Sequence, residues 1–489
     1  MGYIDRARTV FQLKNAHSFY IDGKWAKPST DKLLEVVSPH TEEVFMTFAE
    51  GAIPDVDRAI AAARQAFDKG PWPRMSVDER ADVMVRIAAN LRERLPELAE
   101  AWSAQVGATH GFTQYASKQV PLLFDYYAEM IRTWPLVDER TRDDGRVARI
   151  VSEPVGVVAA ITPWNAPLVL LAYKVAPALA AGCTVVAKPS PETPIDAHIL
   201  AECCEAAGLP AGVFNVVPAG REVGDHLIRH PSIDKVSFTG STGAGIHIAQ
   251  VCAERLARVS LELGGKSAAI VLDDADIHTA LKSLVPFSMP ITGQVCFSLT
   301  RVLAPRSRME EVMGAYVAAV KTLNVGDPFD AATNLGPLAM QRQRDRVEGY
   351  IASGIAEGAQ LITGGGRPQH CNQGFFIEPT VFGDVDPSMK IAREEIFGPV
   401  VSFMAFDDEE DAVAKANATD YGLHGAIYTA DPERGYRMAR QVRAGSLTVN
   451  GMIVDPKMPF GGFKQSGVGR EGGPEGLELY FETKCIYFG

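Results

Sequence analysis

Two reactive side chains in this 489-residue chain stand in settings that suit covalent catalysis. Cys296 closes the tetrad Gly293-Gln294-Val295-Cys296, and Glu262 sits inside Leu261-Glu262-Leu263-Gly264-Gly265-Lys266-Ser267. A cysteine attacks a carbonyl carbon as thiolate, and a carboxylate nearby can later drive water onto the thioester that results. The pair therefore suggests an acyl-enzyme mechanism. Taken singly, each has a plainer explanation: a free cysteine is most often a small buried hydrophobe, and a lone glutamate a salt-bridged structural acid.

A third polar group, Asn165, lies in Ile161-Thr162-Pro163-Trp164-Asn165-Ala166-Pro167, where two prolines fix the backbone around it. Its amide can donate to a developing oxyanion, a contribution of about 3–4 kcal/mol where such a donor has been removed elsewhere. Phe238-Thr239-Gly240-Ser241-Thr242-Gly243-Ala244-Gly245 joins a strand to a helix, so its N–H groups can face a pyrophosphate. Lys188, in Val186-Ala187-Lys188-Pro189-Ser190, ends an earlier strand, in the preceding unit, and can donate to ribose hydroxyls. The plainer alternatives are a turn asparagine, a glycine-rich turn and a solvated lysine. Two other motif matches fail. Gly467 to Gly472 has GxGxxG spacing but lacks the entering strand of a Rossmann fingerprint, and Gly265-Lys266-Ser267 has Ser260 where a phosphate loop needs glycine.

These groups need a scaffold, and its pattern is visible. Residues 18–50 alternate in short pieces broken by Asp22-Gly23 and Ser38-Pro39-His40, which predicts hairpin strands. Helical spacing runs from Val56 to Phe67 and from Val77 to Leu98. After the charged turn 139–145, strands at Gly156–Ile161, Thr184–Lys188, Val213–Val217 and Lys235–Phe238 alternate with helices from Leu168, Asp196, Glu222 and Gly243. That alternation predicts an α/β parallel sheet with helices on its faces. A second such region runs from Ser267 to about Val449, with strands Ala268–Val271 and Val400–Phe406 and helices near 308–323 and 341–357.

Composition is that of a globular protein with ample core, 46% hydrophobic and 22% charged. A length prior of about 150 residues per domain gives roughly three units. A net charge of −12 argues against a nucleic-acid partner. The cysteines are seven in number and include no CxxC pair, so neither a disulfide framework nor a metal site is expected and a cytoplasmic location is. Met1 to Arg6 mixes charges where a secretory signal would be apolar. The run Val175 to Ala187 contains Pro177 and falls well short of the about 20 residues that span a bilayer, so no membrane segment is expected.

Taken together the motifs resemble the aldehyde dehydrogenase superfamily, in that family's order and over nearly the whole chain. The resemblance rests on Pro163-Trp164-Asn165, Lys188-Pro189-Ser190, Phe238–Thr242 with Gly245, Leu261–Lys266, Gly293-Gln294 with Cys296, Glu394-Glu395-Ile396-Phe397-Gly398-Pro399, and Pro459-Phe460-Gly461-Gly462 with Lys464-Gln465-Ser466-Gly467. It implies two open parallel α/β domains plus a small strand arm: a Rossmann-like NAD(P)-binding domain at 1–127 and 151–262, a catalytic domain at 263–466, and an oligomerisation arm at 128–150 and 467–489. Such arms build dimers and tetramers. It implies Cys296 as nucleophile, Glu262 as general base, and Asn165 with the Cys296 N–H as oxyanion hole. The cofactor would be held by Ile161, Thr162, Pro163, Trp164, Lys188, Ser190, Gly220, Gly224, Phe238, Gly240, Ser241, Leu263, Gly264, Glu395 and Phe397, with Lys188 and Glu395 on the two riboses. The implied reaction oxidises an aldehyde to a carboxylic acid through a cysteine hemithioacetal and a thioester that Glu262-activated water hydrolyses. Relatives that pass the acyl group to coenzyme A or phosphate lack a carboxylate at this position.

The chain departs from the family's pattern in three places. Ile291 stands where asparagine is usual, Phe297 follows the cysteine where small residues are common, and Pro191 replaces the glutamate that NAD-preferring members place on the adenosine ribose, with Glu192 one step late. Without that carboxylate a 2′-phosphate is not repelled, so NAD is expected first and NADP as the alternative. The substrate tunnel implied by resemblance, Ala166, Tyr173, Val295, Phe297 and Val454, is apolar apart from one phenol and points to an uncharged aliphatic or aromatic aldehyde.

Overall fold

In the computed structural model, which describes residues 13 and 15–488, strand and helix alternate as the pattern predicts. The expectations for Met1 to Arg6 fall outside these residues. Strands Val157–Ile161, Thr184–Lys188, Phe214–Val216, Lys235–Thr239 and Arg258–Glu262 form the parallel centre of an eight-stranded sheet. The first, second and fourth of these are buried along their whole length, which is why the first two read as apolar runs, whereas Lys235–Thr239 alternates in sequence although both its faces are covered.

Strand order decides where a ligand can sit. The chain adds Thr184–Lys188 and Phe214–Val216 on one side of Val157–Ile161, then returns to add Lys235–Thr239 and Arg258–Glu262 on the other. At such a reversal the connections leave on opposite faces and open a crevice beyond the strands' C-terminal ends. Register then lines up the motifs: Ile161 lies opposite both Lys188 and Phe238, and Thr239 opposite Glu262.

The second sheet has the order Gln360–Thr363, Thr380–Gly383, Val400–Phe406, Arg301–Pro305, Ala268–Val271, His424–Tyr428, Ser446–Val449, parallel except at the first pair. Residues 264–267, 289–300 and 394–399 are the loops that enter three adjacent strands of it. The C-terminal edge of one sheet thus works against the N-terminal edge of the other. Buried Arg301, first in its strand, ties these entries down by donating to the carbonyls of Lys266, Lys415 and Ala416 at 2.8, 2.9 and 2.7 Å.

Phe481–Tyr487, Val147–Pro154 and Val137–Thr141 form a separate antiparallel sheet, the strand arm. Helix Gln119–Thr133 crosses the expected boundary at 127/128, because Val120, Leu123, Phe124, Tyr127 and Ile131 make one continuous buried face. Gly467–Val468 pairs with Arg258–Glu262 in the first sheet. The helix expected over Val77–Leu98 is two helices, Val77–Glu93 and Leu95–Val106. Pro96 has no N–H and its ring clashes one turn back, so it can only begin a helix. Ser76 starts the first of the two with a capping box, accepting from the Glu79 N–H while Glu79 accepts from its own. Among the described residues no helix is long and apolar enough to cross a membrane.

Replacing Arg301 by Gln should strand at least two buried carbonyls and cost about 2–4 kcal/mol. Thermal unfolding of the variant should show a clearly lower Tm, and an unchanged Tm would count against this anchoring role.

Candidate active site

Beyond helix Ile277–Ser288 the chain turns through Ile291, Thr292 and Gly293 with φ of 48°, 57° and 76°. Left-handed backbone costs a residue with a Cβ roughly 1–2 kcal/mol, and a β-branched one is a true outlier there. Asparagine tolerates the conformation, so Ile291 carries strain that the more usual residue avoids. Contacts hold the turn in place. A Cβ on Gly293 would lie 2.1 Å from the Gly398 carbonyl oxygen, and one on Gly265 would lie 2.2 Å from that of Cys296. Gln294, fully buried, donates to Ile291 O at 3.0 Å and accepts from the Ala339 N–H at 2.9 Å.

Asn165 meets this turn directly. Its Nδ2 donates to the Gln294 carbonyl at 2.9 Å, and its own carbonyl accepts from Trp102 Nε1 at 2.8 Å. A side-chain amide has two hydrogens, so one fixes the group and the other is free to donate to a ligand oxygen.

Cys296 is half-buried on the wall of a cavity of about 1840 Å³. Burial raises its thiol well above the usual value, and the negative charges of Glu262 and Glu395 add to the effect. Glu262 ends its strand 4% exposed, with Oε1 lacking a hydrogen-bond partner among the described residues. Burial, then Glu471, pushes its carboxyl well up, against the pull of Lys174. Lys174 is wholly buried on helix Pro167–Ala181 and donates to Thr239 Oγ1 at 2.6 Å and to Glu471. Burial and mutual repulsion thus move both groups toward the neutral form, and positive charge brought into the cleft favours the thiolate.

All the residues named for the dinucleotide line the same cavity except Gly220, as do Asn165 and the five tunnel residues. Glu262 lies behind the wall. Gly220 precedes helix Arg221–Arg229 and faces Glu50; the first turn of that helix, Arg221, Glu222 and Gly224, forms the wall in its place. Lys188 Nζ donates to Ala219 O at 2.7 Å, and burial draws the amine down to about 8. Glu395 accepts from the Gly265 N–H at 2.9 Å; burial lifts its carboxyl to about 7, with that N–H, Arg346 and Lys266 opposing. Trp164 and Phe397 meet edge to face at 5.4 Å, one ring from each half. Buried Thr162 Oγ1, on the cavity wall, has no hydrogen-bond partner among the described residues. Hydrogen-bonding groups at both ends, with the apolar walls of Phe238 and Ile248 at one of them, fit a dinucleotide.

The tunnel has more walls than expected. Trp102, Phe112 and Tyr115 reach it from helices Leu95–Val106 and His110–Ala116, and Phe460 packs 6.2 Å from Phe297. Lys174 and Glu471 were also not anticipated. A single lysine among the apolar residues of Pro167–Ala181 is a usable signal, because a buried charge demands a partner.

The sequence model described as "Aldehyde dehydrogenase family" matches residues 25–486. Geranial dehydrogenase of Castellaniella defragrans is 44% identical over 96% of this chain and 98% of its own. The crystal structure of a Mycobacterium tuberculosis aldehyde dehydrogenase complexed with NAD+ is 46% identical with a TM-score of 0.94, covering 96% of this chain and 98% of that one. A mutant of aldehyde dehydrogenase C from Pseudomonas syringae, complexed with NAD+ and octanal, is 44% identical with a TM-score of 0.93, covering 96% of both chains.

Changing Gly293 to Ala should push the turn off Gly398 and abolish most activity while lowering Tm; a fully active variant would show that the contact is dispensable. Without cofactor, alkylation of Cys296 by iodoacetamide, followed on its peptide by mass spectrometry, should rise with pH and reach its midpoint above 9.0, the ordinary thiol value. In Glu262→Gln a repelling charge is gone, so the curve should move to lower pH. A curve that stays put would remove Glu262 from the thiol's surroundings.

Proposed function

The chain belongs to the aldehyde dehydrogenase family and is an NAD(P)-dependent aldehyde dehydrogenase, and from that premise we propose that it converts an uncharged aliphatic or aromatic aldehyde to the carboxylic acid by thioester hydrolysis. The observation that carries this reading is the half-buried Cys296 on the cavity wall, with the Asn165 amide pinned to its loop and a buried carboxyl of raised pKa, Glu262, coupled to it by charge. Cys296 adds to the aldehyde carbon as thiolate, and the second Asn165 hydrogen, with the Cys296 N–H, holds the oxygen that becomes negative. Lys188 and Ser190 hold the adenosine ribose and Glu395 the nicotinamide ribose, with Trp164 and Phe397 packing at the nicotinamide end. Bound there, NAD supplies the hydride acceptor and a positive ring, as side chains cannot. Glu262 then takes a proton from the water that attacks the thioester, its raised pKa making the carboxylate a stronger base than an exposed one. Glu262 favours release of free acid over transfer to coenzyme A.

Substrate choice follows from the tunnel. Ala166, Tyr173, Val295, Phe297 and Val454, with Phe460 beside them, offer no Lys or Arg to a second carboxylate. The names of two relatives, one for geranial and one bound to octanal, support the same class. Exposed Val137, Val147, Ile486 and Tyr487 on the strand arm support a homo-oligomer, dimer or tetramer. Seven unpaired cysteines suit the cytoplasm.

Cys296→Ala should abolish aldehyde-dependent NADH formation while NAD still binds by calorimetry. Asn165→Ala should lower kcat by about 100- to 1000-fold. Glu262→Gln should give a burst of NADH and then stall; steady turnover in either Cys296→Ala or Glu262→Gln contradicts the mechanism. Medium-chain alkanals and benzaldehyde should outrun succinic semialdehyde, and the reverse order would sink the substrate assignment.

A further inference from the structure

Pro191 leaves the strand end Lys188-Pro189-Ser190 without an adjacent carboxylate, yet a carboxylate reaches it from the next residue. The Ser190 hydroxyl donates to Glu192 Oε2, and Arg342 donates to Glu192 Oε1. Ser190 lines the cavity, whereas Glu192 stands behind it. Arg342 comes from helix Gln341–Ala356 on the other side of the cleft, and its side chain is 67% exposed. Burial raises the Glu192 carboxyl, but the Ser190 hydroxyl and the Arg342 guanidinium outweigh it and hold the group below the ordinary value, so it is ionised at neutral pH.

This arrangement fixes the direction of one proton. Because the Ser190 hydrogen goes to Glu192, the oxygen turns only lone pairs toward the cavity. A ribose 2′-hydroxyl suits it: the hydroxyl donates to Ser190 Oγ and accepts from Lys188 Nζ, whose protein partners are the carbonyls of Ala219 and Pro189. A 2′-phosphate is mostly the dianion at neutral pH and rarely has a proton to give. It would meet those lone pairs with the Glu192 charge directly behind them. In a site partly shut off from water, like charges repel more strongly than they do in bulk solvent.

We propose that Glu192, acting through Ser190 and balanced by Arg342, is the residue that makes this enzyme choose NAD over NADP. The proposal rests on the placing of the adenosine ribose beside Lys188 and Ser190. Glu192 is a positioning and specificity residue, separate from the reacting atoms. It replaces the expectation that the chain, lacking a carboxylate at Pro191, leaves a 2′-phosphate unopposed.

The two members of the ion pair should act in opposite directions. In Glu192→Gln the charge is gone and Arg342 is released at the rim, so the ratio of NADP to NAD affinity should rise about tenfold or more. In Arg342→Gln the carboxylate loses its counter-charge, and the same ratio should fall. Calorimetric titration of both cofactors onto the full-length enzyme without aldehyde gives the ratio directly, and kcat/KM with each cofactor gives it again. A merely structural role weakens both cofactors together and leaves the ratio alone, which would overturn the proposal; so would a wild type that binds NADP better than NAD. A wild type that binds neither overturns the placing of the cofactor itself, and the proposal with it.

Discussion

Everything at this site depends on backbone meeting backbone where no side chain fits. Gly265 lies against the carbonyl of Cys296 and Gly293 against that of Gly398, so three strand-entry loops pack as bare chain. One loop carries the nucleophile, one follows Glu262, and one carries Glu395 and Phe397. Close packing of this kind is costly to form, since Ile291 and Thr292 are forced into left-handed backbone beside Gly293. The surrounding bonds from Gln294, Asn165 and Arg301 are what over-determine it.

Electrostatics at the centre are arranged for a resting state that does little. A buried thiol and a buried carboxyl near each other both favour the neutral form, because neither charge is solvated and each would repel the other. Lys174 softens this by supplying a cation that Glu471 and Thr239 keep in place. A thiol kept neutral is also shielded from adventitious oxidation, which acts on the thiolate.

Much of this could be read from the chain, and the remainder has identifiable reasons. Strands such as Thr184–Lys188 were legible because burial on both faces leaves an unbroken apolar run, and their ends marked the crevice. The break at Pro96 was legible in principle, but the helical spacing carries straight through it and outvoted the proline. Trp102, Phe112 and Tyr115 could not be placed, because helical spacing shows that a face is apolar without showing which cavity it walls. Gly220 was named one residue before the true wall, since the sequence does not tell which side of a helix start turns inward. The partnership of Ser190 and Glu192 with Arg342 depends on a helix far along the chain, and no local pattern announces it.

The opposed edges of the two sheets have a further consequence. Asn165 and Glu262 belong to one half of the molecule, and Cys296 and Glu395 to the other. The chemistry therefore exists only while the two sheets are held in registration. A small rotation of one sheet against the other would part donor from nucleophile while leaving both cores buried. Activity here is a property of alignment.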